Sequence, residues 1–271
     1  MNDIVLQTHG LVKRFGGITA TNNVSMTIRR GARHALIGPN GAGKTTLINQ
    51  LTGVLVPTSG RVVLGGRDIT DMAPHKRVAL GLVRTFQINQ LFSSLTPLQS
   101  LALAVAGRLD RARRWWVPMG GDLDVAAECA QLLAQFRLSE FADRATSELP
   151  YGKRRLLEIA LAVAQKPSVL LLDEPAAGVP GAERADILAT VAALPDDVSV
   201  LLIEHDMDLV FNFAKSLTVL VNGTVLTEGT PEQIAADPQV RAVYLGDSLA
   251  ASREHPDALM RSTHSTGATH G

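Results

Sequence analysis

The sequence predicts an α/β fold built on a buried parallel sheet, and three observations indicate it. Residues 168–172 and 198–203 are continuous runs of Leu and β-branched residues, which are typical of strands covered on both faces of a parallel sheet. Residues 35–37 form a third apolar run that leads directly into a glycine-rich loop and a helical segment. That order of strand, loop and helix is the repeating unit of α/β proteins.

Composition supports a globular chain and argues against three classes of protein. Hydrophobic residues make up 46% of the 271 residues, which is enough for a sizeable core. The 26 basic and 26 acidic side chains balance, whereas non-specific nucleic-acid binding requires a basic excess, so we expect no nucleic-acid partner. The single cysteine, Cys129, excludes an intrachain disulfide framework. No apolar run reaches about 18 residues, so no membrane span is predicted.

The N-terminal part of the chain predicts strands of a second kind. Apolar and polar residues alternate over residues 24–29, which is the period of a half-buried strand. Residues 61–69 predict a strand pair with a turn at Gly65 and Gly66, and Asn222 with Gly223 predicts a later hairpin. We therefore expect an antiparallel β subdomain beside the parallel sheet.

The middle and the end of the chain differ from the rest in composition. Residues 91–160 are rich in Leu and Ala at helical spacing and predict an inserted α-helical subdomain. We expect one domain over residues 1–247 and a disordered tail over residues 248–271, where Ser, Thr, His, Gly and Pro dominate. The histidines of that tail fit no spacing of metal ligands, so disorder is the favoured interpretation: His255, His264 and His270.

Residues 38–45, GPNGAGKT, match the pattern G-x-x-x-x-G-K-[ST] of a phosphate-binding loop. Glycines let backbone N–H groups converge on phosphate oxygens, and the following helix adds the positive end of its dipole. Lys44 would supply a charge for the β- and γ-phosphates, and the Thr45 hydroxyl would bind Mg²⁺. The segment predicts a nucleotide site.

Polar side chains follow the other predicted strands at their carboxyl ends, where α/β proteins bind ligands. Asp173 is suited to hold Mg²⁺, and Glu174 to polarise an attacking water. His205 follows the next buried strand and could contact a γ-phosphate. Gln87 ends another strand-like stretch, where its amide could bind Mg²⁺ or water. These residues predict the second half of an ATPase site.

Together the motifs resemble the ATP-binding subunits of ABC transporters, and within that family those of branched-chain amino acid importers. The resemblance covers about residues 4–247 and implies a P-loop NTPase core of the RecA-like type. The segments that carry the closer likeness are RFGG at 14–17, RTFQ at 84–87, DEPAAG at 173–178, IEHDM at 203–207, GTPEQI at 229–234 and YLG at 244–246.

The resemblance also implies roles for individual residues. Glu174 would be the catalytic base, assisted by Gln87, His205 and Lys44. Mg²⁺ would be bound by Thr45, Gln87 and Asp173. ATP would stack on Phe15 and lie in the loop, so that the nucleotide-binding set is Phe15, Gly38, Asn40, Gly41, Ala42, Gly43, Lys44, Thr45 and Thr46. The signature motif, offered to the ATP of a partner subunit, would be Leu149, Pro150, Tyr151, Gly152 and Lys153.

Three residues depart from the family pattern, and all lie in elements offered to the partner's ATP. Pro150 stands where the signature usually has Ser, Lys153 where it has Gln, and Pro180 where the D-loop has Asp or Asn. Every residue that the chain supplies to its own ATP is intact. We therefore hypothesise an asymmetric heterodimer with a second ATPase subunit.

The resemblance implies an ATPase that is peripheral to the cytoplasmic face of the inner or plasma membrane and is held there by transmembrane permease subunits. Candidate permease contacts are Leu91, Phe92 and Leu95, for which core packing is an equal alternative. Two other functions stay open: a nucleotide-binding assembly subunit with little turnover, and an export-type ATPase. The basic cluster before Trp115 and Trp116 could touch lipid headgroups, although a solvated loop is favoured: Arg108, Arg111, Arg113 and Arg114.

Overall fold

A computed structural model describes residues 3–85, 91–109 and 123–244. Four strands of this structure form an antiparallel sheet in the order β2-β1-β4-β5. The strands are β1 (Ile4–Phe15), β2 (Ile18–Arg29), β4 (Ser59–Leu64) and β5 (Arg67–Asp68). The turn between β4 and β5 contains Gly65 and Gly66, which both have positive φ, as the hairpin signal predicts.

Six strands form the second sheet, in the order β10-β9-β3-β8-β7-β6. They are β3 (Arg33–Ile37), β6 (Leu82–Arg84), β7 (Val169–Asp173), β8 (Ser199–Ile203), β9 (Ser216–Val221) and β10 (Thr224–Gly229). All neighbours pair in parallel except β9 and β10, which form the hairpin at Asn222 and Gly223. The carboxyl ends of β3, β6, β7 and β8 therefore lie at one edge of the sheet, and the predicted α/β class is confirmed.

The parallel sheet separates two hydrophobic cores. Along β7, Leu170 and Leu172 belong to one core, whereas Val169 and Leu171 belong to the other. Side chains alternate between the faces of a strand, so a strand that serves two cores must be apolar at every position. This is the physical reason for the continuous apolar runs in the sequence.

Helices cover both faces of this sheet. They are α1 (Lys44–Thr52), α2 (Pro74–Ala79), α3 (Pro97–Arg108), α4 (Leu123–Gln135), α5 (Tyr151–Val163), α6 (Gly181–Ala192), α7 (Met207–Phe213) and α8 (Pro231–Ala236), with further helical residues over 238–244. The capping box of Thr96 and Gln99 starts α3. In the ranges that the structure describes, no helix has the length and apolarity needed to cross a bilayer.

The segment between β6 and β7 contains α3, α4 and α5. Arg108, at the end of α3, donates to Glu128 on α4 at 2.6 Å and to the Ala164 carbonyl after α5 at 2.8 Å. Its guanidinium thus joins three helices. The other arginines of the cluster, both tryptophans, and the tail over residues 248–271 lie outside the described residues.

Candidate active site

The glycine-rich loop connects β3 to α1, and its close packing requires glycine at two positions. A side chain at Gly38 would collide with the Leu220 carbonyl on β9, and one at Gly43 would collide with the Ala20 carbonyl on β2. Gly43 also has a φ of +99°, in the left-handed region. Since α1 begins directly after Gly43 and no side chain caps it, its first backbone N–H groups form the base of an anion site.

Lys44 holds this loop in a curved shape. Its ammonium donates to the carbonyl oxygens of Gly38 at 2.6 Å and Pro39 at 3.0 Å, which places a positive charge inside the loop. The other predicted loop residues differ in their exposure to solvent: Asn40, Gly41 and Thr45 are exposed, Gly43 and Thr46 are half-buried, and Ala42 is buried. The loop is thus open to solvent at Asn40, Gly41 and Thr45.

Phe15 is the last residue of β1 and exposes 48% of its surface. The Lys13 ammonium lies 5.3 Å from the centre of its ring. An exposed aromatic face at the end of a strand can stack on a planar base, so the position suits the adenine contact predicted for it.

Asp173 is the last residue of β7, and its side chain is 9% exposed. One of its oxygens, Oδ2, accepts from the Arg84 guanidinium at 2.7 Å, and the same guanidinium donates to Asn49 of α1 at 2.7 Å. Arg84 therefore ties the helix that follows the loop to this carboxylate. Neither Arg84 nor Asn49 was assigned a role from the sequence.

The donor set at this edge suits Mg²⁺. Among the described residues, no group of three or more His, Cys, Asp or Glu could hold a metal ion. Mg²⁺ does not need such a group, because one or two carboxylates together with hydroxyl, water and phosphate oxygens suffice. Asp173 and Thr45 offer a carboxylate and a hydroxyl. The third predicted ligand, Gln87, lies outside the described residues.

Glu174 follows β7 in a strained conformation, with a φ of +46°. Its backbone N–H donates to the Ile203 carbonyl at 2.9 Å, and its own carbonyl accepts from the Ala177 N–H at 3.1 Å. The carboxylate is 29% exposed and lies 3.7 Å from Nδ1 of His205. His205 itself is 69% exposed, so both groups face solvent at the sheet edge.

Glu204 is a site residue that the sequence interpretation missed. It is 3% exposed and accepts from the backbone N–H of Ala176 at 3.4 Å and of His205 at 3.3 Å. Burial raises the pKa of this carboxyl, and the two N–H donors partly oppose that rise. The sequence did contain a signal for this residue, since it directly follows a strand that is buried on both faces. A carboxyl at such a position must find hydrogen-bond partners inside the protein.

The predicted signature residues lie at the start of α5. Leu149 is buried, Pro150 is the N-cap, and the Tyr151 hydroxyl donates to the Ala177 carbonyl at 3.2 Å. A side chain at Gly152 would collide with the carboxylate of Glu183 on α6. The Lys153 ammonium donates to the Arg137 carbonyl at 3.1 Å.

The structure thus brings the loop residues, Asp173, Glu174 and His205 to one sheet edge, and places the signature residues at the start of a separate helix, α5. The profile of the ABC transporter family matches residues 21–177, more than half of the chain. The chain belongs to this family. A second profile, named branched-chain amino acid ATP-binding cassette transporter, matches residues 224–250.

Full-length relatives agree with this family. The chain is 40% identical over 255 residues to the high-affinity branched-chain amino acid transport ATP-binding protein BraF of Pseudomonas aeruginosa, covering 92% of this chain and 100% of BraF. It is 38% identical over 258 residues to LivG of Escherichia coli K12, a protein of the same description, at the same coverage. The ADP conformation of MJ1267, an ATP-binding cassette of an ABC transporter, superposes with a TM-score of 0.79 at 33% identity and covers 90% of this chain and 99% of that one.

Family membership confirms the predicted fold and activity. The chain is a P-loop ATPase, the ATP-binding subunit of an ABC transporter, and such subunits are peripheral to the membrane and work with permease partners. Both long relatives belong to branched-chain amino acid transport, which supports the importer interpretation rather than the assembly-subunit or export alternatives.

Proposed function

We propose that this chain hydrolyses ATP to drive the uptake of branched-chain amino acids through permease subunits. The observation that carries the proposal is the match to branched-chain amino acid transport proteins along 92% of the chain. The second profile match, over residues 224–250, adds to it because this segment follows the ATP-binding motifs and is specific to the branched-chain group.

The site geometry supports a division of labour among its residues. Phe15 stacks on the adenine, while the loop amides and Lys44 bind the phosphates. Thr45 and Asp173 would hold Mg²⁺, together with Gln87, which the family resemblance alone implies, and the bound ion would neutralise charge on the phosphates. Arg84 donates to one Asp173 oxygen at 2.7 Å, and the other oxygen would serve the metal.

Glu174 acts as the general base toward the attacking water. Its turn is held by backbone hydrogen bonds to Ile203 and Ala177, which lowers the cost of reaching the reactive geometry. His205 contacts the γ-phosphate, and its Nδ1 lies 3.7 Å from the Glu174 carboxylate, so both groups reach the same point of the sheet edge. Hydrolysis then resets the transporter after each ATP-driven closure.

Uptake by the reconstituted transporter tests the substrate class. Proteoliposomes that contain this chain, its permeases, its second ATPase subunit and its solute-binding protein should accumulate leucine, isoleucine and valine with ATP and Mg²⁺ inside. They should not accumulate urea or glutamine. Uptake of urea or glutamine without uptake of leucine would contradict the proposed substrate class and leave the ATPase assignment standing.

We also propose that the chain forms a heterodimer with that second ATPase subunit, at the cytoplasmic face of the membrane, where ATP is supplied. Pro150 offers no hydroxyl to the partner's γ-phosphate, and the Lys153 ammonium is held by the Arg137 carbonyl. The Glu183 carboxylate lies against Gly152, where it would repel a phosphate. These features favour efficient hydrolysis of the ATP bound at this chain's own loop and inefficient hydrolysis of the partner's ATP at its signature.

Two separate exchanges test the asymmetry. Glu174→Gln in this chain should remove most ATP hydrolysis by the complex, whereas the equivalent exchange in the second subunit should remove little. Phosphate release by the purified complex gives both values. An equal loss from the two exchanges would show that the sites are equivalent.

A further inference from the structure

Two side chains of α5 contact the same short turn. Tyr151 and Arg155 are four residues apart and therefore lie on one face of the helix. The Tyr151 hydroxyl donates to the Ala177 carbonyl at 3.2 Å, and the Arg155 guanidinium donates to the Glu174 carbonyl at 3.3 Å. Since the Ala177 N–H donates to the Glu174 carbonyl, both contacts fall on the turn that carries the general base.

Arg155 is a buried charge that has no role in the proposed hydrolysis. It is 2% exposed, and its guanidinium forms a 2.6 Å ion pair with Glu158 on the same helix. Burial raises the pKa of Glu158, and Arg155 opposes that rise. A buried ion pair is weak evidence for stability, because desolvation offsets much of the attraction. Stability alone therefore does not explain why this arginine is buried, whereas its contact with the Glu174 carbonyl does.

The turn itself depends on such contacts. Glu174 has a φ of +46°, and a non-glycine residue in this region persists only where its surroundings hold it. The backbone bond to Ile203 holds the turn to β8, while Tyr151 and Arg155 hold it to α5. Thus α5 contributes directly to the position of the Glu174 carboxylate.

The same end of α5 carries Gly152, the signature residue proposed to meet the partner's ATP. Gly152 lies between Tyr151 and Arg155 on one rigid helix, so a shift of this end moves both contacts with the turn. Tyr151 also packs against Gly178, at 3.2 Å from the position of a side chain there. The first turns of α5 are therefore joined to the residues after Glu174 at two points besides Arg155.

We propose that Tyr151 and Arg155 form a clamp, the α5 clamp, through which the position of α5, and hence of its signature end, sets the geometry of Glu174. Both are positioning residues, since they act through the turn and touch no reacting atom. The inference rests on the proposed function, in which Glu174 is the base and the signature meets the partner's nucleotide.

The test isolates this chain's own site. The transporter is assembled with a second ATPase subunit that carries the exchange equivalent to Glu174→Gln, so that only this chain hydrolyses ATP. In that background Tyr151→Phe and Arg155→Met should each lower kcat roughly tenfold, since a displacement of 1 Å can cost about 100-fold. KM for ATP and ATP-driven subunit association should change less than about twofold. Arg155→Lys, which keeps a donor, should restore part of the loss.

Arg33→Met is the matched control, because Arg33 is also a buried arginine that donates to backbone carbonyls, at the opposite edge of the sheet. It should lower the unfolding midpoint and leave kcat per folded molecule unchanged. If Arg155→Met does not fold, the kcat values of Tyr151→Phe and Arg155→Lys test the clamp by themselves.

Three outcomes separate the clamp from its alternatives. Unchanged kcat in Tyr151→Phe would overturn the clamp, because a signature that serves only the partner's ATP predicts no effect in this background. Loss of subunit association together with kcat would also overturn it and assign both side chains to the subunit interface. If Glu174→Gln itself retains turnover, the proposed role of Glu174 fails, which is a different result.

Discussion

The two edges of the parallel sheet use similar side chains in opposite ways. At the amino edge, β3 begins with Arg33, whose guanidinium donates to the carbonyls of Val198, Leu194 and Ala192. The next residue, His34, has Nδ1 2.7 Å from Ser216 Oγ and Nε2 2.8 Å from Thr218 Oγ1.

At the carboxyl edge, Glu174 and His205 are exposed by 29% and 69% of their side chains. They lie on a strained turn and at a helix start, at the same edge as the glycine-rich loop. The comparison shows that Arg33 and His34 at the amino edge are bonded by the protein itself, whereas Glu174 and His205 at the carboxyl edge are open to solvent. Substitutions at the two edges should therefore separate stability from activity.

The largest expected effect is at the carboxyl edge. Glu174→Gln should lower kcat about 10²- to 10⁴-fold, which is the usual contribution of a general base, while ATP binding and the free energy of unfolding change little. Phosphate release, nucleotide titration and urea unfolding measure the three quantities. A loss of stability that parallels the loss of activity would show that Glu174 stabilises the fold instead of acting in catalysis.

Arg33→Met should give the reverse result. Removing the guanidinium leaves buried carbonyls without their donor, which should lower the free energy of unfolding by about 3 kcal/mol. ATP hydrolysis per folded molecule should stay the same. Urea unfolding followed by circular dichroism checks the first statement, and a fall in kcat of the folded fraction would break the proposed separation of the edges.

His34 predicts a dependence of stability on pH. Burial lowers its pKa from 6.5 to about 4 in the folded chain, so the unfolded chain binds a proton at a higher pH than the folded chain does. Stability from the neutral ring is present above pH 6.5 and is lost as the pH falls toward 4. Between pH 7 and pH 5 the wild type should lose about 2 kcal/mol.

The variant His34→Gln, which does not titrate, isolates this contribution. It should lose about 2 kcal/mol less than the wild type between pH 7 and pH 5 in urea unfolding. Equal losses in the two proteins would mean that His34 is charged or accessible in the folded chain.

The smallest expected effect is that of Phe15→Ala. Stacking of a base on an aromatic ring contributes about 1 kcal/mol or more, so KM for ATP should rise about fivefold with kcat unchanged. GTP should lose affinity to a similar extent, because every base offers a face that can stack on the ring. Steady-state kinetics with both nucleotides give the answer, and an unchanged KM would show that the adenine lies elsewhere.

The sequence predicts those features of the fold and site that local physics determines. The continuous apolar runs predict β7 and β8 because each strand serves two cores, and the GPNGAGKT pattern predicts the loop because only glycine fits at Gly38 and Gly43. Three contacts could not be predicted in the same way: that of Arg84 with Asp173, that of Arg155 with the Glu174 carbonyl, and that of Glu204 with the Ala176 N–H. The residues of each pair lie far apart in sequence and are brought together by packing, which local patterns do not encode.

The division of the interior by β7 has a consequence for how the chain folds. Leu170 and Leu172 complete the core of the helical segment, and Leu171 completes the core beneath the antiparallel sheet. Neither half can finish its interior until this strand is in register, so the two halves should unfold in one cooperative transition. A fragment that contains only residues 91–160 would lack the surface of β7 against which its helices pack, so it should not form a stable unit.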